Sequence, residues 1–145
     1  MIRVKQVFKN KSALKEVVCL WALSSMREFW VKVSSQNNYT VYCKKPGCEF
    51  RVHAYKPKYE MHWIASVMVE HSCHLDGVLT KHRNLTASLI ASVMLNEIVE
   101  KRDFECSYII SAIQKQFKYK ISYLKAWQAK QLAMEKRFGT FEASY

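Results

Sequence analysis

Apolar residues in this chain change their spacing near Gly77: before it they form short runs between turn residues, and after it they recur at helical intervals with almost no breakers. The first periodic segment starts at Ser12, a residue type suited to a helix N-cap. It carries Leu14, Val17, Val18 and Trp21 at i, i+3, i+4, i+7 spacing, which predicts an amphipathic helix. Four strands are expected next, over Glu28–Ser34, Tyr39–Cys43, Glu49–Tyr55 and Met61–Cys73. Gln36-Asn37-Asn38, Lys45-Pro46-Gly47 and Lys56-Pro57-Lys58 supply the turns between them. Three helices then read as Thr86–Lys101, Ser107–Phe117 and Ser122–Arg137, each opening on a hydroxyl residue that can cap it. On the last, Leu124, Trp127, Met134 and Phe138 form a heptad-like stripe, leaving Lys125, Gln128 and Lys136 outward.

The expected fold is therefore α+β. A small antiparallel β domain with an N-terminal helix spans 1–76, and a three-helix, helix-turn-helix-like segment spans 77–138. The stretch 139–145 reads as a connection cut short, as in a fragment of a longer protein. A length of 145 residues allows one ordinary domain or two small ones, and with 50% hydrophobic residues a buried core is expected.

Charge narrows the function. The chain has 23 Lys and Arg against 12 Asp and Glu, a net +11, which points to a polyanionic partner: nucleic acid or an acidic membrane surface. No stretch approaches the roughly 18–20 apolar residues of a membrane span, and the N-terminus lacks a signal peptide's apolar core and cleavage site, so no membrane association is expected. Five cysteines, an odd number, fit a disulfide framework poorly; a reducing compartment, nucleus or cytosol, with some cysteines on a metal is the better reading.

Cys43 and Cys48 are separated by four residues, and His71 and Cys73 follow 22 residues later with only Ser72 between them. One tetrahedral Zn2+ needs four N or S donors at about 2.0–2.3 Å, and paired donors in a tight turn supply two at once. On a strand, positions i and i+2 share a face, so His71 and Cys73 could grip the same ion. Strand parity agrees: Trp63, Ala65, Val67 and Val69 alternate in step with His71 and Cys73; Phe50, Val52 and Ala54 with Cys48; Tyr39 and Val41 with Cys43. His74 is the rival for the fourth position, but it falls on the opposite face. Cys19 lies in the helix stripe and reads as core, Cys106 has no partner nearby in sequence, and His53, His62 and His82 read as surface residues. Four protein donors close a zinc shell and leave no position for a reactive water, so a structural rather than catalytic metal is expected.

The C-x4-C-x22-H-x-C pattern on an antiparallel sheet resembles the zinc fingers of the WRKY and glial-cells-missing class. The ordered series Val7-Phe8, Phe29-Trp30-Val31-Lys32-Val33, Tyr42 to Val52, His71-Ser72-Cys73, Ser122 to Lys130 and Gly139 to Tyr145 resembles the N-terminal region of a plant MuDR (Mutator-like) transposase. That resemblance implies a nuclear DNA-binding module that recognises transposon ends. The family's catalytic nuclease domain would lie downstream, so the piece in hand is not expected to be an enzyme. The WRKY heptapeptide is missing, with Phe29–Val33 in the corresponding strand, so no base-reading rules carry over.

A sheet edge or two-stranded ribbon fits the major groove of double-stranded DNA. Parity turns Trp30, Lys32, Ser34, Thr40, Tyr42, Arg51, His53 and Tyr55 outward. Lys44, Lys45, Lys56 and Lys58 in the turns should meet phosphates, with Lys32 and Arg51 placed for bases. A homodimer, or contact with the other domains of a full-length transposase, is a further expected association; the alternative function is a zinc-stabilised protein-interaction domain.

Overall fold

The computed structural model describes residues 2–74, 80–100 and 105–138. The chain divides into two compact units, Met1–Val78 and Leu79–Tyr145. No helix among the described residues is long and apolar enough to cross a membrane.

Among the described residues the first unit is a five-stranded antiparallel sheet with one helix: β1 (Val7–Phe8), α1 (Lys11–Ser25), β2 (Phe29–Ser34), β3 (Asn38–Cys43), β4 (Arg51–Tyr55) and β5 (Trp63–Val69), in the order β1-β5-β4-β3-β2. Helix α1 starts one residue before the expected Ser12. Asn10 is its cap, its side chain accepting the Ala13 N–H at 2.8 Å. The helix stops at Met26, which turns left-handed at φ 57° and returns its N–H to the last turn. The inward face of α1, Leu14, Val18 and Ala22, joins Val41, Val52, Ala54, Trp63 and Ala65 in one buried cluster, with Val17 and Trp21 at its margin. Strand β1 was not expected: two residues are too short to show alternation, and Val7 and Phe8 are fixed by pairing with Ile64 and Trp63.

Two register shifts set the faces of this sheet. Between Val31 and Val33 the β2–β3 ladder skips Lys32, and between His53 and Ala54 the β4–β5 ladder skips Ser66. Each is a bulge, and a bulge inverts the parity of every later residue on its strand. Trp63 and Ala65 face the core as expected, but beyond Ser66 it is Met68 that lies opposite buried Val52, and Val67 and Val69 lie across from His53 and Arg51. Likewise Val33 pairs with Thr40 on the side of Trp30 and Tyr42, and Ser34 crosses to the side of buried Tyr39. The parity proposed for Val67, Val69 and Ser34 is thus corrected by single inserted residues that leave no mark in an apolar pattern, while Lys32, the inserted residue on β2, is exposed as expected.

Among the described residues the second unit holds four helices where three were expected: α2 (Ala87–Val93), α3 (Leu95–Glu100), α4 (Cys106–Phe117) and α5 (Tyr123–Phe138). The first expected helix is interrupted at Met94, whose φ of −104° and ψ of 14° leave the helical range, and its expected end at Lys101 lies outside the described residues. Thr86 and Ser122 do cap, accepting the N–H groups of Leu89 and Lys125 at 3.2 and 3.1 Å. Ser107 does not; α4 starts at Cys106 with Glu105 ahead of it, and the Ser107 hydroxyl donates to the Glu105 carboxylate. The expected stripe on α5 is also corrected. Ala126, Ala129 and Ala133 are buried, whereas Leu124 is 61% exposed and Lys125 is half-buried, its ammonium donating to the Leu85 carbonyl at 2.9 Å. α5 packs chiefly on α2, and alanine lets the two backbones approach closely. His82, expected at the surface, is 3% exposed, edge-on to the Tyr119 ring and accepting the Asn84 N–H.

These α5 assignments invert the usual expectation for large and small side chains. Ala129→Leu should destabilise the helical unit by about 1–3 kcal/mol through overpacking, while Leu124→Ala should change stability by no more than about 0.5 kcal/mol. Urea titration of the two variants followed by circular dichroism measures both.

Candidate metal centre

Cys43 ends β3, Cys48 closes the turn that follows, and His71 and Cys73 lie just past the end of β5. The turn owes its shape to Pro46 and Gly47. Proline presets the first central position, Gly47 takes φ 81° at the second, and the Cys48 N–H returns to the Lys45 carbonyl at 3.3 Å, a type II turn. The Cys43 N–H to Phe50 carbonyl bond at 3.3 Å closes the knuckle below it. The four donor atoms lie within 4.8 Å of one another, positioned to bind a metal ion. Cys43 Sγ is 3.9 Å from Cys73 Sγ, and His71 Nδ1 is 3.5 Å from Cys48 Sγ and 3.8 Å from Cys73 Sγ. A tetrahedral ion with metal–sulfur bonds of about 2.3 Å and metal–nitrogen bonds of about 2.0–2.1 Å has edges of roughly 3.5–3.8 Å. The residues fit such an ion.

The neighbouring backbone is set to stabilise anionic sulfur. The Lys45 N–H points at Cys43 Sγ at 3.4 Å. Burial pushes the Cys48 thiol up, but hydrogen bonds from the Phe50 N–H, the Cys73 side chain and the N–H groups of Ser72 and Cys73 outweigh it and bring it down to about 6. Burial, opposed only by the Lys45 N–H and reinforced by the neighbouring sulfurs, holds the Cys43 thiol at about 12. Three sulfurs this close cannot all ionise without a cation among them, and a divalent metal supplies that charge. His71 is kept neutral, the form that ligates: burial and then the Arg27 charge lower it to about 4.

Residues not singled out by the spacing hold the ligands in place. The Phe50 ring stacks on His71 at 3.9 Å with planes 3° apart, and Trp21 of α1 meets Phe50 edge-on at 5.2 Å. The Arg27 guanidinium donates to the Cys73 carbonyl at 3.1 Å, and the Ser72 hydroxyl accepts the Glu49 N–H at 2.9 Å. Phe50 was legible only as a core position; Arg27, 46 residues from its partner, had no local signal. His74, the rival ligand, is exposed and outside the cluster, and its carbonyl accepts the Lys45 ammonium at 2.8 Å. Burial pushes the Cys19 thiol up to about 11, in keeping with its place at the core margin.

The six basic residues read as nucleic-acid contacts do not form one cluster. Lys44 and Lys45 sit in the knuckle, and Arg51 begins β4 beside it, opposite Tyr42 and Val69. Lys44 pairs with Glu28 at 3.4 Å and lies over the Trp30 ring at 5.9 Å. Lys32 is exposed at the bulge of edge strand β2. Lys56 and Lys58 occupy the β4–β5 turn at the other end of the sheet, where Lys56 donates to the Glu60 carbonyl and Lys58 lies over the Tyr59 ring.

Residues 1–62 match the family model of the MuDR family transposase, at its DNA-binding domain. The match takes in β1, α1, β2, β3 and β4 with Cys43 and Cys48, and ends before β5, so His71 and Cys73 lie beyond it. No curated protein and no solved structure matches the chain.

Two consequences can be measured. Without metal, His71 stays unprotonated in the folded state down to about 4 while the unfolded chain takes its proton near 6.5. The stability tied to this group is present above pH 6.5 and is lost as pH falls towards 4. Urea titrations of chelated protein across that window should show the decline, and His71→Gln should make it shallower. Gly47→Ala has open space for its methyl group, yet the left-handed backbone should cost about 1 kcal/mol. The same variant should lower metal affinity in a competition titration.

Proposed function

We propose that the 1–78 unit is a zinc-dependent DNA-binding module of a Mutator-like transposase, or of a regulator derived from one, acting in the nucleus on transposon-end or promoter duplex. The observation that carries this reading is the match of residues 1–62 to the MuDR family transposase at its DNA-binding domain. Two others support it. A set of three sulfurs and one imidazole in tetrahedral spacing suits zinc among common metals, and four protein donors make that zinc structural. Residues 1–78 also carry twelve Lys and Arg against six acidic residues.

Zinc would pin the knuckle to the segment after β5 and so fix where Lys44 and Lys45 stand; it supplies charge neutralisation to the thiolates and no reaction step. Edge strand β2 is the natural groove element, since an edge or ribbon enters a groove about 12 Å wide. In this reading Lys32 and Lys44 approach the duplex along that edge, and Arg51 reaches it from the adjoining face. Lys45, Lys56 and Lys58 hold phosphates at the two ends of the sheet. The zinc sheet would then be of the WRKY and glial-cells-missing kind. The helical unit is a proposed second contact of helix-turn-helix-like type, and self-association or docking to other transposase domains would bring two such modules to paired ends.

Zinc and salt test this reading directly. Elemental analysis should find about one zinc per chain, lost in Cys43→Ser and His71→Ala. Under half a zinc, with folding indifferent to chelator, overturns the metal assignment. If all six cations meet phosphates, affinity for a random duplex should fall about a thousandfold between 50 and 200 mM salt, and removing any one should reduce the salt slope by about one. Affinity that barely changes with salt would favour the protein-interaction alternative.

A further inference from the structure

α1 covers one face of the sheet; the other carries aromatic ring faces that duplex binding at the edge does not use. Across β2, β3, β4 and β5 it presents the cross-strand row Trp30, Tyr42, Arg51 and Val69. The next row contains Thr40 and His53, joined side chain to side chain at 2.6 Å, and the row after it contains Tyr55. Trp30 and Tyr42 are 38% and 41% exposed, and Tyr55 and Val69 are also exposed. An antiparallel sheet with one solvated face normally alternates to polar residues there. Here that face carries aromatic rings and β-branched side chains, with the Arg51 guanidinium and Asn38 exposed among them and Thr40 buried against His53.

Width separates this face from the duplex. The four strands of this face make three gaps of about 4.8 Å, so it is roughly 14 Å across before its side chains are added, too broad to lie flat in a groove of about 12 Å. Ring faces are also of little use to a closed duplex, whose bases already stack on one another. An apolar protein helix laid here would strip water from Arg51 without giving it a partner, a costly exchange. Phosphates suit Arg51 and Lys44, unpaired bases suit the rings, and base edges suit His53, whose Nδ1 is already engaged by Thr40.

We infer that this open face is a stacking platform for an unpaired nucleic-acid strand, with bases on Trp30 and Tyr42 and the backbone along Lys44 and Arg51. The inference rests on the nucleic-acid reading above and extends it from the duplex gripped at the edge to the single strand beside it. It requires no movement of the metal centre.

The test uses the full chain with zinc, a fluorescein-labelled fifteen-nucleotide oligothymidylate and a random duplex. The single strand should bind and quench tryptophan fluorescence. Trp30→Leu and Tyr42→Leu together should weaken it tenfold or more, in line with stacking on two rings, and Trp30→Phe with Tyr42→Phe should restore it. Zinc content should be unchanged in all variants and duplex affinity should move less than threefold. A single strand that binds equally well to the leucine double variant overturns the platform, as does a duplex that binds while the single strand does not. Failure of both nucleic acids to bind the unmutated chain removes the underlying reading instead. If the unmutated chain sediments as a dimer that the leucine variant dissolves, the face is a self-association surface and the inference is wrong.

Discussion

The fold of the first unit depends on four side chains from three separate places converging on one point. Cys43 is the last residue of a strand, Cys48 belongs to a turn, and His71 and Cys73 follow a strand that has already ended. Left without a cation these groups oppose one another. Burial resists ionisation of Cys43, while backbone N–H groups pull Cys48 towards its thiolate. A divalent ion resolves the conflict, and binding free energies of about 10–16 kcal/mol for structural zinc equal or exceed the whole stability of a typical domain. A bound metal would therefore add to whatever holds the β3–β4 and β5 ends together.

Helix α1 is tied to the same four side chains through aromatic contact. Trp21 abuts Phe50, and Phe50 lies flat against the imidazole that ligates. Arg27, one residue past the helix cap, holds the carbonyl of Cys73 and helps keep His71 neutral. Packing of the helix and orientation of two ligands are thus one structural event, and outer partners of this kind fix a ligand's tautomer and angle.

Much of this was legible in the sequence. The Cys43–Cys48 spacing with Pro46-Gly47 between dictated a turn, and the turn brings those two sulfurs together in the way tetrahedral ligation needs. The matched family region stops at residue 62, yet the distant pair His71 and Cys73 was readable from donor chemistry alone. Strand parity places that pair on the core face only if one unbroken strand runs from Met61 to Cys73, but the Ser66 bulge inverts the face and β5 ends at Val69. The two donors join the cluster from the segment that follows β5, outside the ladder. Bulges add a residue without changing local hydrophobicity, so alternation could not reveal them. In the helical unit, size misled. Leu124 and Trp127 looked like core because they are large, while contact with α2 selected Ala126, Ala129 and Ala133.

The bulges also explain how one small sheet can carry two kinds of surface. Without the shift at Ser66, Val67 and Val69 would point into the core and Ser66 and Met68 would take their places outside. With it, β5 gives its β-branched side chains to the open face just where Arg51 and His53 stand opposite. Without the shift at Lys32, that lysine would occupy the position beside Thr40 that Val33 now holds. The insertion at Lys32 therefore moves apolar area onto the solvent side of a sheet whose other face is already filled by α1, a disposition that stability alone does not favour. The knuckle is one residue pair away from this surface, since Tyr42 precedes Cys43 and Arg51 follows Phe50. A metal that fixes Cys43 against Cys48 consequently fixes the register of Tyr42 on Arg51, and the ligand set and the open face are governed by the same few hydrogen bonds.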